Sequence, residues 1–128
     1  MPNVYDQHQS AFARVSAFVI LKDDERVATV ALKFPADGAG RLWAYVHLIG
    51  VEMVRAHADG FGYDKRSAAV SAAIAKIPAP SDDKGRNPEW LAKMNANRAA
   101  LIIAAATMES HGHESALRSA GFTVLQAV

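Results

Sequence analysis

The sequence predicts a single α+β domain, in which a three-stranded antiparallel meander and a C-terminal strand pack against two or three helices. The first half of the chain contains runs of β-forming residues separated by short polar turns, a pattern typical of consecutive strands. The second half contains alanine-rich segments with helical spacing. With 128 residues, of which 51% are hydrophobic, the chain is large enough to build its own core. We assign residues 13–128 to this domain and residues 1–12 to a loose N-terminal arm.

The meander is predicted from three strand-like runs and the turns between them. Residues 13–21 are rich in β-formers, and a polar turn at 23–25 separates them from a second run at 26–34. Another turn at 35–40 leads into a third run at 41–49. Because consecutive strands joined by short turns pair as antiparallel neighbours, this order indicates a β-meander.

Helical signals follow the meander. Residues 51–57 fit either a single helical turn or a continuation of the third strand. The first strong helix covers about 65–76, with Asp64 as its N-cap and prolines after its end. A second helix begins at Pro88, where the missing N–H costs nothing, and ends near residues 110–112.

The end of the chain predicts a short helix followed by a strand. Residues 114–120 have helical character, and Gly121 is the type of residue that lies just past a helix C-terminus. Residues 122–128 then form a strand that extends the sheet. Its exposed edge could pair with a second copy of the chain, so a homodimer is among the expected assemblies.

The loop at residues 60–67 is the strongest candidate for a binding site. Its glycines permit tight turns, and it leads into a helix N-terminus, where unpaired N–H groups favour anions. The macrodipole disfavours cations there, so Lys65 and Arg66 indicate a functional role, and Tyr63 is available to stack on a base. The alternative is an ordinary glycine-rich turn before a capped helix. The predicted anion- or partner-binding residues are Arg41, Gly60, Gly62, Tyr63, Lys65 and Arg66.

A second candidate is the aromatic stripe on the predicted third strand. Trp43 and Tyr45 alternate there and share one face with His47, while Leu42 and Ala44 point the other way. Such a stripe is more often the core face beneath a helix. On a sheet surface, Trp43 and Tyr45 would instead form an aromatic platform for a base or a partner protein.

Catalytic and metal-binding patterns are weak. The chain has no cysteine, and none of its serines lies in a Gly-x-Ser-x-Gly elbow. His111 and His113 form the densest histidine pair, yet they lack the spacing that places two ligands on one helix face. A metal-dependent enzyme would need His47 or His57 to converge with them. We predict no catalytic residue, cofactor or metal. Whether the protein is an enzyme stays open, and the sequence favours a protein that is not one.

The charge balance limits the classes of partner. A formal net charge of +1 is typical neither of a dedicated duplex-DNA binder nor of an acidic DNA mimic. A local basic patch can still be hidden in such a balanced total. No signal peptide or membrane-spanning run is visible, so we expect a cytoplasmic protein without a membrane partner.

Three short motifs resemble a family of small uncharacterised proteins encoded by proteobacterial phages, prophages and plasmids. The motifs are DGAGRL at 37–42, GFGYDK at 60–65 and AGFTV at 120–124, and the resemblance extends over most of residues 13–128. It implies no catalytic residues. It does imply a context, because small proteins of mobile elements frequently bind and block host factors, including CRISPR–Cas and other immune systems.

These observations predict a small binding protein that blocks a host protein or nucleoprotein complex. Inhibition of a bacterial defence complex of the CRISPR–Cas type is its most concrete form. The alternative is a module for a small ligand or nucleotide, with phosphate at the 60–67 loop and the base on Tyr63 or Trp43. The two hypotheses differ in whether a nucleotide raises the melting temperature.

Overall fold

The computed structural model describes residues 14–34, 40–60, 62–81 and 88–127. Its elements, in chain order, are β1 (Arg14–Lys22), β2 (Glu25–Phe34), β3 (Arg41–Leu48), β4 (Val54–Asp59), α1 (Tyr63–Ile74), α2 (Pro88–Ala105), α3 (Met108–His111), α4 (His113–Ser119) and β5 (Thr123–Ala127). The predicted arm at residues 1–12 lies outside the described residues, as do the turn residues 35–39 and the linker residues 82–87. Within the described ranges, no helix combines the length and the apolar character needed to cross a bilayer.

A five-stranded antiparallel sheet organises the molecule, with the strand order β4-β3-β2-β1-β5. The first three strands form the predicted meander, and β5 pairs with β1, where Val19 lies opposite Leu125. A row of cross-strand neighbours on the core side consists of Phe18, Val30, Val46 and Val54. The α+β class, the meander and the added C-terminal strand are therefore confirmed.

The tight hairpin between β1 and β2 is built on two aspartates. Lys22 lies opposite Glu25, which leaves Asp23 and Asp24 as the turn residues, with φ of 52° and 64°. Two-residue hairpin turns with positive φ match the right-handed twist of the flanking strands, and aspartate tolerates this conformation better than most residues. The predicted polar turn is confirmed, although Glu25 belongs to β2.

The segment at residues 51–57 differs from both sequence expectations, because it leads into a separate strand. β4 runs antiparallel to β3 and places His57 opposite Trp43. The reversal occurs at Gly50, whose φ of 92° is a conformation that residues with a Cβ rarely adopt. The alternation of small apolar and polar residues through Asp59 is the period-2 signal that marks this strand.

The described helices pack on one face of the sheet. α1 lies against β3 and β4, and side chains from all four helices join a common hydrophobic core with the sheet. The largest fully buried members of that core are Phe18, Ile20, Leu32, Leu42, Leu48, Ile74, Ile77, Leu101, Met108 and Leu117. Fully burying one such aliphatic side chain contributes about 1.5–3 kcal/mol, so this layer is the main source of stability.

The N-terminus of α1 corrects the predicted cap. Gly62, not Asp64, is the N-cap, and its carbonyl accepts hydrogen bonds from the N–H groups of Lys65 and Arg66, both at 3.1 Å. Gly62 has φ of 100° and ψ of 161°, which is not a helical conformation, and the helix begins at the next residue, Tyr63. The start of α1 is therefore two residues earlier than predicted. Asp64 lies inside the first turn, where its charge is favourable to the macrodipole without a capping hydrogen bond.

The predicted second helix is divided into two. α2 ends at Ala105, and the Thr107 hydroxyl donates to the Ala104 carbonyl at 3.0 Å. Such local bonds compete with the helical backbone ladder, and α3 then adds a single turn. The predicted third helix is confirmed as α4, and Gly121 follows it with φ of 96°.

Candidate functional site

The aromatic stripe of β3 lies on the sheet face opposite the helices. Leu42, Ala44 and Val46 are fully buried, whereas Trp43 and Tyr45 on the other side are half-buried. The interpretation of the stripe as the core face is therefore wrong, because the helices cover the aliphatic side of β3. We call this surface the open face and define it by Lys33, Arg41, Trp43, Tyr45, His47, Arg55, His57 and Asp59.

The strand register gathers the aromatic rings of the open face. Tyr45 follows Trp43 on the same side of β3, with ring centroids 6.4 Å apart. His57 lies opposite Trp43 on β4, and their ring centroids are 4.9 Å apart at an interplanar angle of 50°. β3 has a strand paired on each side, so the ring positions are fixed by backbone that is itself held in the sheet.

Two cations flank the rings. The Arg55 guanidinium lies 5.0 Å from the centre of the Trp43 ring, and the Lys33 ammonium lies 4.9 Å from the centre of the Tyr45 ring. Cation–π contacts of this kind contribute about 0.5–1 kcal/mol at exposed sites. They also hold the long basic side chains over the aromatic cluster, on either side of β3.

The open face has an excess of positive charge. Among its described strand positions, Lys33, Arg41 and Arg55 are basic and Asp59 is the one carboxylate. Asp59 lies at the edge, 4.0 Å from Arg41, with both side chains largely exposed, so this ion pair contributes little. The arrangement can therefore bind flat aromatic groups and anionic groups side by side.

The predicted binding residues divide between two places. The Gly60 N–H donates to the Gly40 carbonyl at 3.3 Å, so the end of the turn before Arg41 and the start of the 60–67 loop meet in space. Arg41 lies at the edge of the open face. The remaining predicted residues surround the N-terminus of α1 rather than the aromatic cluster.

The surface beside the start of α1 carries two carboxylates as well as cations, with Asp64 on α1 and Glu109 on α3. A surface cavity beside the loop is lined by Asp64, Lys65, Ala68 and Glu109. Two carboxylates disfavour an anion at this cavity, because like charges repel. The anion site at residues 60–67 stays a prediction, and the open face has the better charge pattern for one.

Tyr63 belongs to a stack of three rings that runs inwards. Its ring centroid lies 5.4 Å from that of His113, which in turn lies 5.4 Å from that of Phe18. Tyr63 also lies against Gly112, where an added Cβ would come within 2.7 Å of the ring. One side of Tyr63 is thus used in packing, and its outer side is exposed.

A serine–histidine pair forms where α1 meets α4. The Ser67 hydroxyl accepts the His113 backbone N–H at 3.0 Å and lies 3.2 Å from Nδ1 of the same residue. Burial lowers the pKa of His113, Glu114 opposes that shift, and Arg66 adds to it. Both members are buried, at 1% and 3% exposure, so the pair joins two helices in the core. No sequence signal pointed to it, because 46 positions separate the two residues.

The four histidines that the structure describes do not converge. His47 and His57 lie on the open face, His113 is in the core, and His111 is exposed on α3, where its Nδ1 lies 3.0 Å from the Ser110 hydroxyl. Among the residues that the structure describes, no group of three or more histidine, aspartate and glutamate side chains is placed to hold a metal ion.

The predicted aromatic platform lacked several residues of the open face that lie beside it, among them Lys33, Arg55 and His57. The pairing of β2 with β3 places Lys33 opposite Trp43, and the pairing of β3 with β4 adds Arg55 and His57. Recognising the alternating pattern of residues 54–59 would have identified Arg55 and His57. Lys33 could have been found from the predicted hairpin register.

No family model matches this chain, and neither a curated protein nor a solved structure shows significant similarity to it. The resemblance to proteins of mobile elements therefore stays a prediction.

Proposed function

We propose that this protein is a binding protein that acts by stoichiometric contact with a macromolecular partner through the open face. The observation that supports this is the cluster of Trp43, Tyr45 and His57 with Lys33 and Arg55 on the side of the sheet opposite the helices. Aromatic residues and arginine are the side chains enriched at binding hot spots. The fold needs none of them for its core.

Stoichiometric binding of a partner fits the structure better than catalysis does. Of the two serine–histidine contacts among the described residues, Ser67–His113 is enclosed between helices, where a substrate would have to displace packed side chains. The other, Ser110–His111, joins neighbours in sequence on the exposed surface of α3. The polar side chains of the open face lie on a broad sheet surface, which suits a large partner.

The most concrete form of the proposed function is blocking of a host factor, in particular a defence complex of the CRISPR–Cas type. Its support is the resemblance of the motifs at 37–42, 60–65 and 120–124 to proteins of mobile elements. The partner would be a host protein or a nucleoprotein complex, and the cationic face suits the nucleoprotein.

A phage-plating experiment tests this proposal. A strain with active CRISPR–Cas immunity would express the protein, its Trp43→Leu variant or, as a control on the helical side, Ile103→Ala, an exposed residue of α2. We expect wild type and Ile103→Ala to restore plaque formation by at least about tenfold and Trp43→Leu to lose that effect. No restoration by wild type in any immune strain would contradict the defence-blocking form.

A nucleotide-binding module remains the second candidate, because the Gly60–Gly40 hydrogen bond brings the 60–67 loop close to Arg41. A ligand that binds only the folded state stabilises it by about 2.7 kcal/mol at a concentration of 100 times its Kd. Thermal melting with a panel of nucleotides would therefore show a clear rise, and Lys65→Met should reduce it. Unchanged melting temperatures across the panel would remove this candidate.

A further inference from the structure

We propose that the open face binds single-stranded nucleic acid, with bases stacked on Trp43 and Tyr45 and phosphates held by Lys33, Arg41 and Arg55. This inference rests on the proposed function, which makes the open face the binding surface, and it names the occupant.

The rings of β3 are presented as a platform on the sheet. Trp43 and Tyr45 occupy successive same-side positions of β3, and their centroids are 6.4 Å apart. Aromatic side chains on the central strands of a sheet are a recurrent platform for unpaired bases, and stacking tolerates any sequence because every base has a π-face. Bases also stack on guanidinium planes, so Arg55 above Trp43 adds to the same platform.

The cations lie around this platform. Lys33 lies on β2 and Arg55 on β4, so positive charge borders the aromatic strand on both sides. Arg41 continues it to the end of β3. Three basic side chains thus lie around the half-buried rings in a chain whose formal net charge is only +1. A nucleic-acid backbone carries one negative charge per nucleotide and matches this border.

A single strand fits the open face better than a duplex or an acidic protein does. A duplex hides the faces of its bases and would leave Trp43 and Tyr45 without partners. An acidic protein would satisfy the cations, but it rarely presents flat aromatic groups between its charges. A single strand supplies a flat ring and an adjacent anion in every nucleotide, which is the alternation that Trp43 with Arg55 and Tyr45 with Lys33 present.

Fluorescence anisotropy with the full chain tests the inference. The probes are fluorescein-labelled oligothymidylate and oligouridylate of about 12 nucleotides, a length within the range that one single-strand-binding domain covers. A duplex of equal length serves as the comparison. We expect saturable binding of the single strands, weaker binding of the duplex, and a slope of log K against log salt near about −2, from roughly 0.7 for each of three phosphate contacts.

Substitutions then locate the site. Trp43→Leu and Tyr45→Leu should each weaken binding by about 5- to 150-fold, the range for loss of one stacked base, whereas Tyr45→Phe should preserve it. Lys33→Met and Arg55→Met should each reduce the salt slope by about 0.7. The matched controls lie on α2, away from the open face: Ile103→Ala for lost apolar surface and Lys93→Met for lost charge, and both should bind like wild type. Circular dichroism melting of each variant shows that it is folded at the assay temperature.

Several results would overturn the inference. The first is absence of binding at about 100 μM protein. The second is equal affinity of Trp43→Leu and wild type, and the third is a loss of affinity with Lys93→Met equal to that with Lys33→Met. If oligonucleotides fail to bind while Trp43→Leu still abolishes the plating effect, the occupant is a protein and the proposed function survives. Sedimentation velocity completes the test, because self-association lost in Trp43→Leu would make a second copy the occupant and refute the nucleic-acid assignment.

Discussion

His113 shows how one residue can tie several parts of the fold together. Its ring stacks between Phe18 of β1 and Tyr63 of α1. The Ser67 hydroxyl oxygen accepts a hydrogen bond from the His113 backbone N–H and also lies 3.2 Å from Nδ1 of the His113 ring. Because the Ser67 oxygen accepts the backbone N–H, its own proton is free to be donated to Nδ1. A neutral imidazole suits this environment, and protonation would place a charge among aromatic rings.

We expect acid-sensitive stability that depends on His113. Burial lowers the pKa of His113 in the folded protein. The contribution of neutral His113 to the free energy of unfolding is therefore fully present above its unfolded pKa of about 6.5, and it is lost as the pH drops below that value. Urea denaturation at several pH values between about 7 and 5 measures this slope, and His113→Gln should flatten it. An equal slope in wild type and variant would contradict the assignment to His113.

Gly112 is expected to be intolerant of any side chain. It joins α3 to α4 with φ of 79°, and an added Cβ would lie 2.7 Å from the Tyr63 ring. Gly112→Ala should therefore lower the free energy of unfolding by about 2 kcal/mol or more, as measured by urea denaturation. Gly121→Ala is the comparison, because that glycine also has positive φ but no atom within 4 Å of an added Cβ. A cost no larger than that of Gly121→Ala would show that Tyr63 moves freely.

Among the elements, α1 and α2 are joined by side chain to backbone hydrogen bonds. Arg98 of α2 donates from Nε to the Ile77 carbonyl at 2.8 Å, and the Ser71 hydroxyl of α1 donates to the Ala105 carbonyl at 3.1 Å. The Ser71 bond connects α1 to the end of α2, and the Arg98 bond connects α2 to the segment that follows α1. They fix the crossing of the two helices over the core.

Arg98→Met should lower the free energy of unfolding by about 1–2 kcal/mol, because a hydrogen bond from a charged group to a half-buried carbonyl is lost. Lys93→Met is the matched control on the same helix. Lys93 forms an exposed ion pair with Glu25, and such pairs contribute about 1 kcal/mol or less. Urea denaturation measures the free energy of unfolding of both variants. A larger loss for Lys93→Met than for Arg98→Met would contradict the prediction.

At the scale of the whole molecule, the sheet has two edges, β4 and β5. β4 is partly shielded, because the Lys76 ammonium donates to the Arg55 carbonyl at 3.1 Å. Among the strands that the structure describes, β5 pairs with β1 alone, and its Leu125 is 49% exposed. The edge position expected for the terminal strand is confirmed, while the homodimer that it could form remains a prediction.

If the chain dimerises, β5 is the edge that we expect to pair. Leu125→Lys should then abolish concentration-dependent association in sedimentation velocity, because charge on an edge strand opposes pairing. Met53→Lys, which alters another exposed hydrophobic residue away from β5, should leave association unchanged. A dimer that survives Leu125→Lys would use a different surface.

Much of this architecture is readable from local patterns. Alternating apolar residues and acidic turn residues define β1 and β2, and glycine after a short helical segment marks the end of α4. These signals are local because a strand alternates its side chains regardless of its neighbours, and a turn depends on few residues. The sequence does not predict β4 as a separate strand, because a local signal must also be strong enough to recognise. A six-residue strand with alanine at its buried positions has only a weak apolar signal.

Pattern alone could not assign the faces of β3. Both sides of that strand carry apolar residues, with Leu42, Ala44 and Val46 on one and Trp43 and Tyr45 on the other. The side that becomes core depends on where α1 packs, which is a long-range contact. Burying Leu42 and Ala44 beneath α1 leaves the aromatic rings on the open face, where the register adds Lys33 from β2 and Arg55 from β4. Local sequence therefore dictated the strands, while the docking of the helices selected the surface available for binding.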